Sequence, residues 1–203
     1  AKIKKLKETN LELLSQVSTF EKLKAENAAL SDQFQTAYPP TNKLLKAGII
    51  GAPGFVPGVS IPNNFILSKG AKDNVKVGQA VVVRDNLVGV IVQASANLSK
   101  VNTINNSSFS FTAKTENGAL GVVKGGGSLM IDNIQLWENI KKGELVLTKG
   151  DINQDGIGIV PDLVVGKITS VEKNPSSLFQ KAKIESYIDF VSLSTVFVYI
   201  QNK

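Results

Sequence analysis

The sequence predicts a mainly β protein, with an N-terminal α-helical coiled coil followed by two small, related β-barrels. Residues 1–37 contain no Gly or Pro and repeat apolar or Asn residues at heptad spacing. The rest of the chain consists of about a dozen short β-branched segments separated by Gly, Asn, Asp or Lys clusters, a pattern typical of a sandwich or barrel. Within that part, "DNVKVG" at 73–78 is followed 65 residues later by "ENIKKG" at 138–143.

The heptad segment predicts a dimerisation helix. Its apolar steps alternate between three and four residues, with one extra step of three between Phe20 and Leu23. Asn10 and Asn27 occupy seam positions, where a buried Asn pair fixes register and favours two strands. A single helix packed on its own domain is the alternative, but the sequence offers no partner helix. The predicted parallel homodimer interface consists of Ile3, Leu6, Asn10, Leu13, Val17, Phe20, Leu23, Asn27, Leu30 and Phe34.

Proline ends the helix and begins a different kind of chain. Pro39 and Pro40 cannot donate a backbone hydrogen bond, so the helix stops at Tyr38. Strands near the C-terminus are free to return and complete the first barrel, which would then be discontinuous. The predicted domains are 1–37, the coiled coil; 38–62, a Pro/Gly-rich linker and first strand; 63–108, the first barrel, with strands from 178–203 available to complete it; and 109–177, the second barrel.

The two motifs belong to a longer internal repeat. At an offset of 65 residues Gly78 aligns with Gly143, and after a net insertion of 12 residues in the second copy Gly89 aligns with Gly166. A glycine at a turn can adopt positive φ, and a glycine inside a strand marks a bulge or bend that lets a small barrel close. We therefore predict that these four glycines are structural turn positions in two sister barrels.

Composition removes many enzymatic chemistries. The chain has no Cys and no His, which excludes a Ser-His-Asp triad, a Cys nucleophile and an imidazole base within it. Nothing indicates an active site, so we expect neither catalytic residues nor a cofactor. The net charge of +6 is spread out, and Arg84 is the single arginine, which disfavours base reading. The phenylalanines do not show the pattern of a barrel that binds single-stranded nucleic acid. Trp137 and Phe179 lie near the predicted barrel edges, where they are either core or contact surface, and the core is the expectation for a lone aromatic residue.

"DINQDG" is the sharpest local motif. Asp151, Asn153 and Asp155 alternate as at the start of a calcium loop, and Asp162 falls at its twelfth position. However, no helices are predicted on either side, and the twelfth residue is not Glu. An Asx-rich turn is the simpler alternative. These four residues are therefore a weak calcium candidate set.

Ordered motifs along the chain resemble those of MreC, the bacterial rod shape-determining family. They are "LKAENAAL" at 23–30, "GIIGA" at 48–52, "ILSKGAKDNVKVGQAVV" at 66–82, "GELVLTKGD" with "PDLVVGKI" at 143–168, and "LFQKAKIESYIDFVSLSTVFV" at 178–198. The chain departs from the family at three places. Lys149 stands where the family has the Ser of T-S-G. Asn74 stands where the family has the Gly of a D-G turn, and Leu163 stands where it has the Gly of P-x-G, which leaves the geometry of the Pro161–Leu163 turn open.

The resemblance implies more than the residue patterns do. It implies two six-stranded barrels and a non-enzymatic scaffold of the cell-wall elongation complex, outside the cytoplasmic membrane and anchored by one N-terminal helix that lies outside this chain. Expected partners are a second copy through the coiled coil, further self-assembly, a class B penicillin-binding protein, MreD and the MreB system. The alternative is a periplasmic adaptor subunit of an export pump, because "VKVGQAV" resembles a lipoyl-type turn. Those adaptors, however, insert a coiled-coil hairpin in mid-chain.

Overall fold

The computed structural model describes residues 44–200 and, nearer the N-terminus, residues 13, 15–19 and 23. The described N-terminal residues are helical, and Leu13, Val17 and Leu23 expose 52, 57 and 58% of their surface. The coiled coil stays a prediction, because most of its seam lies outside the described residues: Ile3, Leu6, Asn10, Phe20, Asn27, Leu30 and Phe34. No helix within the described part of the chain is long and apolar enough to cross a membrane.

From residue 44 onward the chain is built of strands, which confirms the mainly β prediction. The only helical turn in this described part is a short 3-10 turn, Ala71–Asp73. The strands are β1 (Leu44–Gly51), β2 (Asn64–Leu67), β3 (Ala80–Val83), β4 (Asn86–Ala94), β5 (Ser99–Thr103), β6 (Ser110–Thr115), β7 (Leu120–Lys124), β8 (Leu129–Gln135), β9 (Leu145–Thr148), β10 (Asp151–Ile152), β11 (Gly158–Ile159), β12 (Val164–Glu172), β13 (Phe179–Glu185) and β14 (Thr195–Tyr199).

Twelve of these strands form one continuous sheet that closes on itself twice. The first ring runs β1-β2-β5-β4-β3-β14 and is closed by the pairing of β14 with β1. The second runs β6-β7-β8-β13-β12-β9 and is closed by the pairing of β9 with β6. All neighbours within each ring are antiparallel. The C-terminal strand β14 thus completes the first ring, whereas β13 belongs to the second, and β10 and β11 form a separate hairpin.

The two rings meet at one parallel bridge between β4 and β12. Val164 pairs with Asn86, and the Val164 backbone N–H donates to the Asp85 carbonyl at 2.7 Å. Each ring fills its interior with side chains from alternate strand positions, as β13 shows by alternating exposed and buried residues along its length. The buried side chains include Phe65, Leu67, Leu87, Ile91 and Val101 in the first ring and Ile131, Ile134, Val146 and Ile168 in the second.

The backbone repeats along with the sequence. Gly78 and Gly143 both have a φ of 95°, a conformation that side chains with a Cβ rarely adopt. The Gly78 N–H donates to the Ile91 carbonyl at 2.8 Å, and the Gly143 N–H donates to the Ile168 carbonyl at 2.8 Å. Ile91 and Ile168 are themselves related by the longer offset that follows the insertion. The same turn therefore closes onto the same strand in both rings.

The second glycine pair lies where neighbouring backbones approach closely. A Cβ on Gly89 would overlap the carbonyl oxygen of Asn102, and a Cβ on Gly166 would overlap that of Glu185. The pairing of β3 with β4 shifts register beside Gly89, and the pairing of β9 with β12 shifts register beside Gly166. Each glycine thus permits a strand to bend tightly against its neighbour, which small closed barrels require.

The two copies differ at the residue after the turn glycine. The side chain of Gln79 is fully buried and satisfied, because its Oε1 accepts from the Lys76 N–H at 2.8 Å and its Nε2 donates to the Asn74 carbonyl at 3.3 Å. The equivalent residue, Glu144, is 8% exposed. Its Oε1 accepts from the Asn117 amide at 2.7 Å, whereas its Oε2 is buried without a hydrogen-bond partner among the described residues.

Candidate docking surface

Several large apolar side chains are exposed to solvent at one end of the second ring, where β8 ends and β13 begins. Trp137 is 75% exposed, Leu178 is 80% exposed and Phe179 is 48% exposed. The Leu136 N–H donates to the Leu178 carbonyl at 3.3 Å, so the loops that follow β8 and precede β13 are joined. We call Leu136, Trp137, Leu178 and Phe179 the apolar apex.

The prediction that Trp137 and Phe179 lie in the core is wrong. β8 ends at Gln135, so Trp137 belongs to the turn beyond the strand and does not face the barrel interior. Phe179 is the first residue of β13 and takes an outward position of its alternating pattern. Trp is among the residues most enriched at the centres of protein interfaces, and clustered exposed apolar side chains mark docking surfaces.

A buried glutamine holds the turn that carries Trp137. Gln180 is 2% exposed, and its Nε2 donates to the carbonyls of Glu138 at 2.6 Å, Gln135 at 2.9 Å and Leu136 at 3.5 Å. The Glu138 N–H also donates to the Gln135 carbonyl at 3.0 Å. The backbone on both sides of Trp137 is therefore fixed, while its indole points outward.

Charge near the apex is modest. Lys181 and Glu172 form an ion pair at 3.1 Å, with both side chains about half exposed. Exposed pairs of this kind contribute roughly 0–1 kcal/mol. Lys141 and Lys142 are exposed on the same β8–β9 connection. The apolar area, not charge, is thus what distinguishes this end of the ring.

A groove of about 1000 Å³ forms a second surface feature. One wall is the Pro/Gly-rich loop between β1 and β2, where Val59 is 81% exposed and Ile61 is 55% exposed. The base of that loop is anchored because the buried Thr103 hydroxyl donates to the Pro62 carbonyl at 2.9 Å. Other lining residues come from the second ring, among them Leu129, Thr169, Lys183 and Glu185. Phe190, in the connection between β13 and β14, also lines the groove.

Two side chains of the predicted calcium set, those of Asn153 and Asp162, have local partners. Asp151 belongs to the β10–β11 hairpin, and the Asn153 Oδ1 accepts from the N–H groups of Asp155 at 2.9 Å and Ile157 at 3.0 Å, which is an Asx turn. Asp162 pairs with Lys114 at 2.6 Å and takes a φ of 65°, the left-handed conformation that replaces the family's glycine turn. Within the described ranges, carboxylates do not cluster in threes or more in a way that could hold a metal ion.

The structure is thus a pair of joined antiparallel barrels with an exposed apolar apex as a candidate docking surface. A family model described as "Rod shape-determining protein MreC, barrel core" matches residues 58–200, well over half of the chain. This chain therefore belongs to the MreC family of rod shape-determining proteins, which confirms the resemblance seen in the sequence.

Solved structures agree with that assignment. A structure named MreC is 20% identical, covers 87% of this chain and 98% of its own, and has a TM-score of 0.71. MreC from Listeria monocytogenes is 25% identical, with coverage of 95% and 92% and a TM-score of 0.66. The complex between penicillin-binding protein PBP2 and MreC from Helicobacter pylori includes a chain that is 17% identical, with coverage of 79% and 100% and a TM-score of 0.57. The comparison with curated proteins found no match. As a member of the MreC family, the chain is a rod shape-determining protein, and the export-pump alternative is not favoured.

Proposed function

We propose that this chain works as an extracytoplasmic, non-enzymatic scaffold that docks a class B penicillin-binding protein on the apolar apex. The observation that carries the proposal is the exposed Trp137 on an anchored turn. Two comparisons support the partner and the compartment: a solved complex joins PBP2 to MreC from Helicobacter pylori, and another relative is described as the major periplasmic domain of a cell shape-determining filament. The first ring, completed by β14, and the second ring, which includes β13, are the two domains of the module.

Binding measurements on matched variants test the docking site. Trp137→Ala should weaken binding to the extracytoplasmic region of the organism's own class B penicillin-binding protein by about 30-fold, the effect of a hot-spot residue. Val59→Ala removes a similarly exposed apolar side chain from the groove loop and should leave affinity unchanged. Biolayer interferometry provides both affinities. Wild-type affinity for Trp137→Ala, or an equal loss for Val59→Ala, contradicts this docking site.

Dimerisation through the N-terminal helix is the second part of the proposal. Leu13 and Val17 are helical seam residues that expose more than half of their surface within a single chain, so they are accessible to a second helix. Leu13→Asp should give monomers in analytical ultracentrifugation, because a carboxylate in an apolar seam is strongly disfavoured. Ser15→Asp, on an exposed helical position off the seam, is the control. A dimer that persists unchanged in Leu13→Asp refutes the coiled coil.

The remaining partners follow from the family resemblance. A membrane anchor upstream, contacts with MreD and the MreB system, and further self-association are expected of such a scaffold. A dimer anchored to a membrane presents two docking modules at once, which raises avidity for partners tethered to the same membrane. A bacterial two-hybrid assay with the full-length protein checks the MreD contact, which should survive Trp137→Ala if it uses a different surface.

A further inference from the structure

We propose that Gln180 is a positioning residue that holds Trp137 in its docking conformation, so that the apex acts as a preformed knob for a concave apolar pocket on the transpeptidase. This inference rests on the proposed docking function. It assigns a role to a residue that touches no partner and that the sequence pattern alone places in the core.

Gln180 is an exception in its strand. β13 alternates outward and inward residues, and Gln180 shares the inward face with Ala182 and Ile184. A buried amide costs free energy unless it is hydrogen-bonded, so an apolar residue would suit this position better for packing alone. Its amide nitrogen instead donates to backbone carbonyls on both sides of Trp137, those of Gln135, Leu136 and Glu138, at distances from 2.6 to 3.5 Å. The Gln180 side chain therefore stabilises the conformation of the turn that carries Trp137.

Trp137 depends on this backbone for its order. With 75% of its surface exposed, the indole has little packing of its own to fix it. Apart from Gln180, the turn is held by the Glu138 N–H bond to the Gln135 carbonyl and by the bond from Leu136 to Leu178. Removing the Gln180 amide leaves the carbonyls of the turn without their shared donor.

Preorganisation of this kind acts on affinity through entropy. Ordering a turn and a large side chain at the moment of binding opposes association, and a turn ordered beforehand avoids that cost. A rigid aromatic side chain flanked by Leu178 and Phe179 is complementary to a recessed apolar pocket rather than to a flat polar surface. The partner surface that fits is therefore concave and apolar at its centre.

The experiment uses the fact that Trp137 is the single tryptophan of the chain. Gln180→Met keeps the length of the side chain but removes its donors, and Gln93→Met, at an exposed glutamine of β4 in the first ring, is the matched control. In Gln180→Met, time-resolved fluorescence anisotropy should report faster local motion of the indole, and transpeptidase affinity should fall by about 3- to 10-fold. Gln93→Met should change neither quantity.

A measurement on the unmodified protein guards against misfolding of the variant. Backbone ¹⁵N order parameters for residues 136–138 should equal those of β8, near about 0.85, and values below about 0.6 overturn the proposal. Unchanged anisotropy in Gln180→Met also overturns it, as does a loosened turn with wild-type affinity when Trp137→Ala does lower affinity. If the indole moves faster in Gln180→Met but neither variant lowers affinity, the docking surface itself is refuted, while the ordering of the turn by Gln180 is supported.

Discussion

Replacing Glu144 by Gln should stabilise the second ring. The two copies of the repeat provide the comparison, because Gln79 satisfies both ends of its amide within its own turn. Glu144 occupies the equivalent position with a buried Oε2 that lacks a hydrogen-bond partner among the described residues. By analogy with Gln79, we expect a Gln at 144 to donate to the Asn139 carbonyl, the counterpart of the Asn74 carbonyl in the repeat.

The magnitude follows from the polar atoms involved. An unpaired buried acceptor costs about 1–3 kcal/mol. The change also weakens the bond from the Asn117 amide, at 2.7 Å, because a neutral acceptor replaces a charged one, and that offsets about 1 kcal/mol of the gain. The expected net effect on the free energy of unfolding is an increase of about 1 kcal/mol, or roughly 2–4 °C in Tm for a protein of this size.

Urea denaturation followed by far-ultraviolet circular dichroism measures both free energies of unfolding. The reciprocal variant, Gln79→Glu, should destabilise by about 1–3 kcal/mol, because it places a carboxylate oxygen opposite the Asn74 carbonyl. The reasoning is refuted if Glu144→Gln destabilises the protein, or if Gln79→Glu has no effect. Either result would mean that the two turns are not energetically equivalent despite their shared backbone hydrogen bonds.

Two further predictions concern packing and pH. Gly89→Ala should destabilise by about 1–3 kcal/mol in thermal unfolding, because its Cβ would overlap backbone, whereas Gly127→Ala meets nothing within 4 Å and should be close to neutral. Hydrogen bonds from the Lys69 ammonium and then from the Gly70 N–H lower the pKa of Asp73 below its ordinary value. Since the folded pKa is the lower one, Asp73 contributes stability above its unfolded pKa and loses it as pH falls through the folded pKa. Asp73→Asn should therefore be less stable than wild type at neutral pH, and equal stability losses at all pH values would contradict this assignment.

Local signals predicted much of the fold. The sequence repeat predicted the same turn in both rings. The structure has that turn in both, with equal φ angles at Gly78 and Gly143. The glycines inside β4 and β12 lie where neighbouring strands approach closely, which is the physical reason that a strand pattern tolerates Gly there. These features depend on few residues near one another in sequence, so they are visible in a single chain.

The features that the sequence did not predict depend on contacts between residues far apart in the chain or on local hydrogen bonds and ion pairs. Trp137 was expected in the core, but it lies in the exposed turn that follows Gln135. That turn is bonded to Gln180, which is remote in sequence although its strand pairs with β8. Only pairing across the whole chain assigns β13 to the second ring and β14 to the first. At the "DINQDG" loop the spacing of the acidic residues suggested calcium ligands. In the structure the Asn153 side chain accepts hydrogen bonds within its own turn, and the Asp162 carboxylate pairs with Lys114.

Hydrogen–deuterium exchange of the full protein, with and without its class B penicillin-binding protein, tests the central claim most directly. The account predicts that binding slows exchange in the two segments that form the apex, 135–142 and 173–180. Exchange in the β1–β2 loop, 52–63, should be unchanged and serves as the internal control. Protection confined to the first ring or to the groove loop, with none at the apex, would contradict the account.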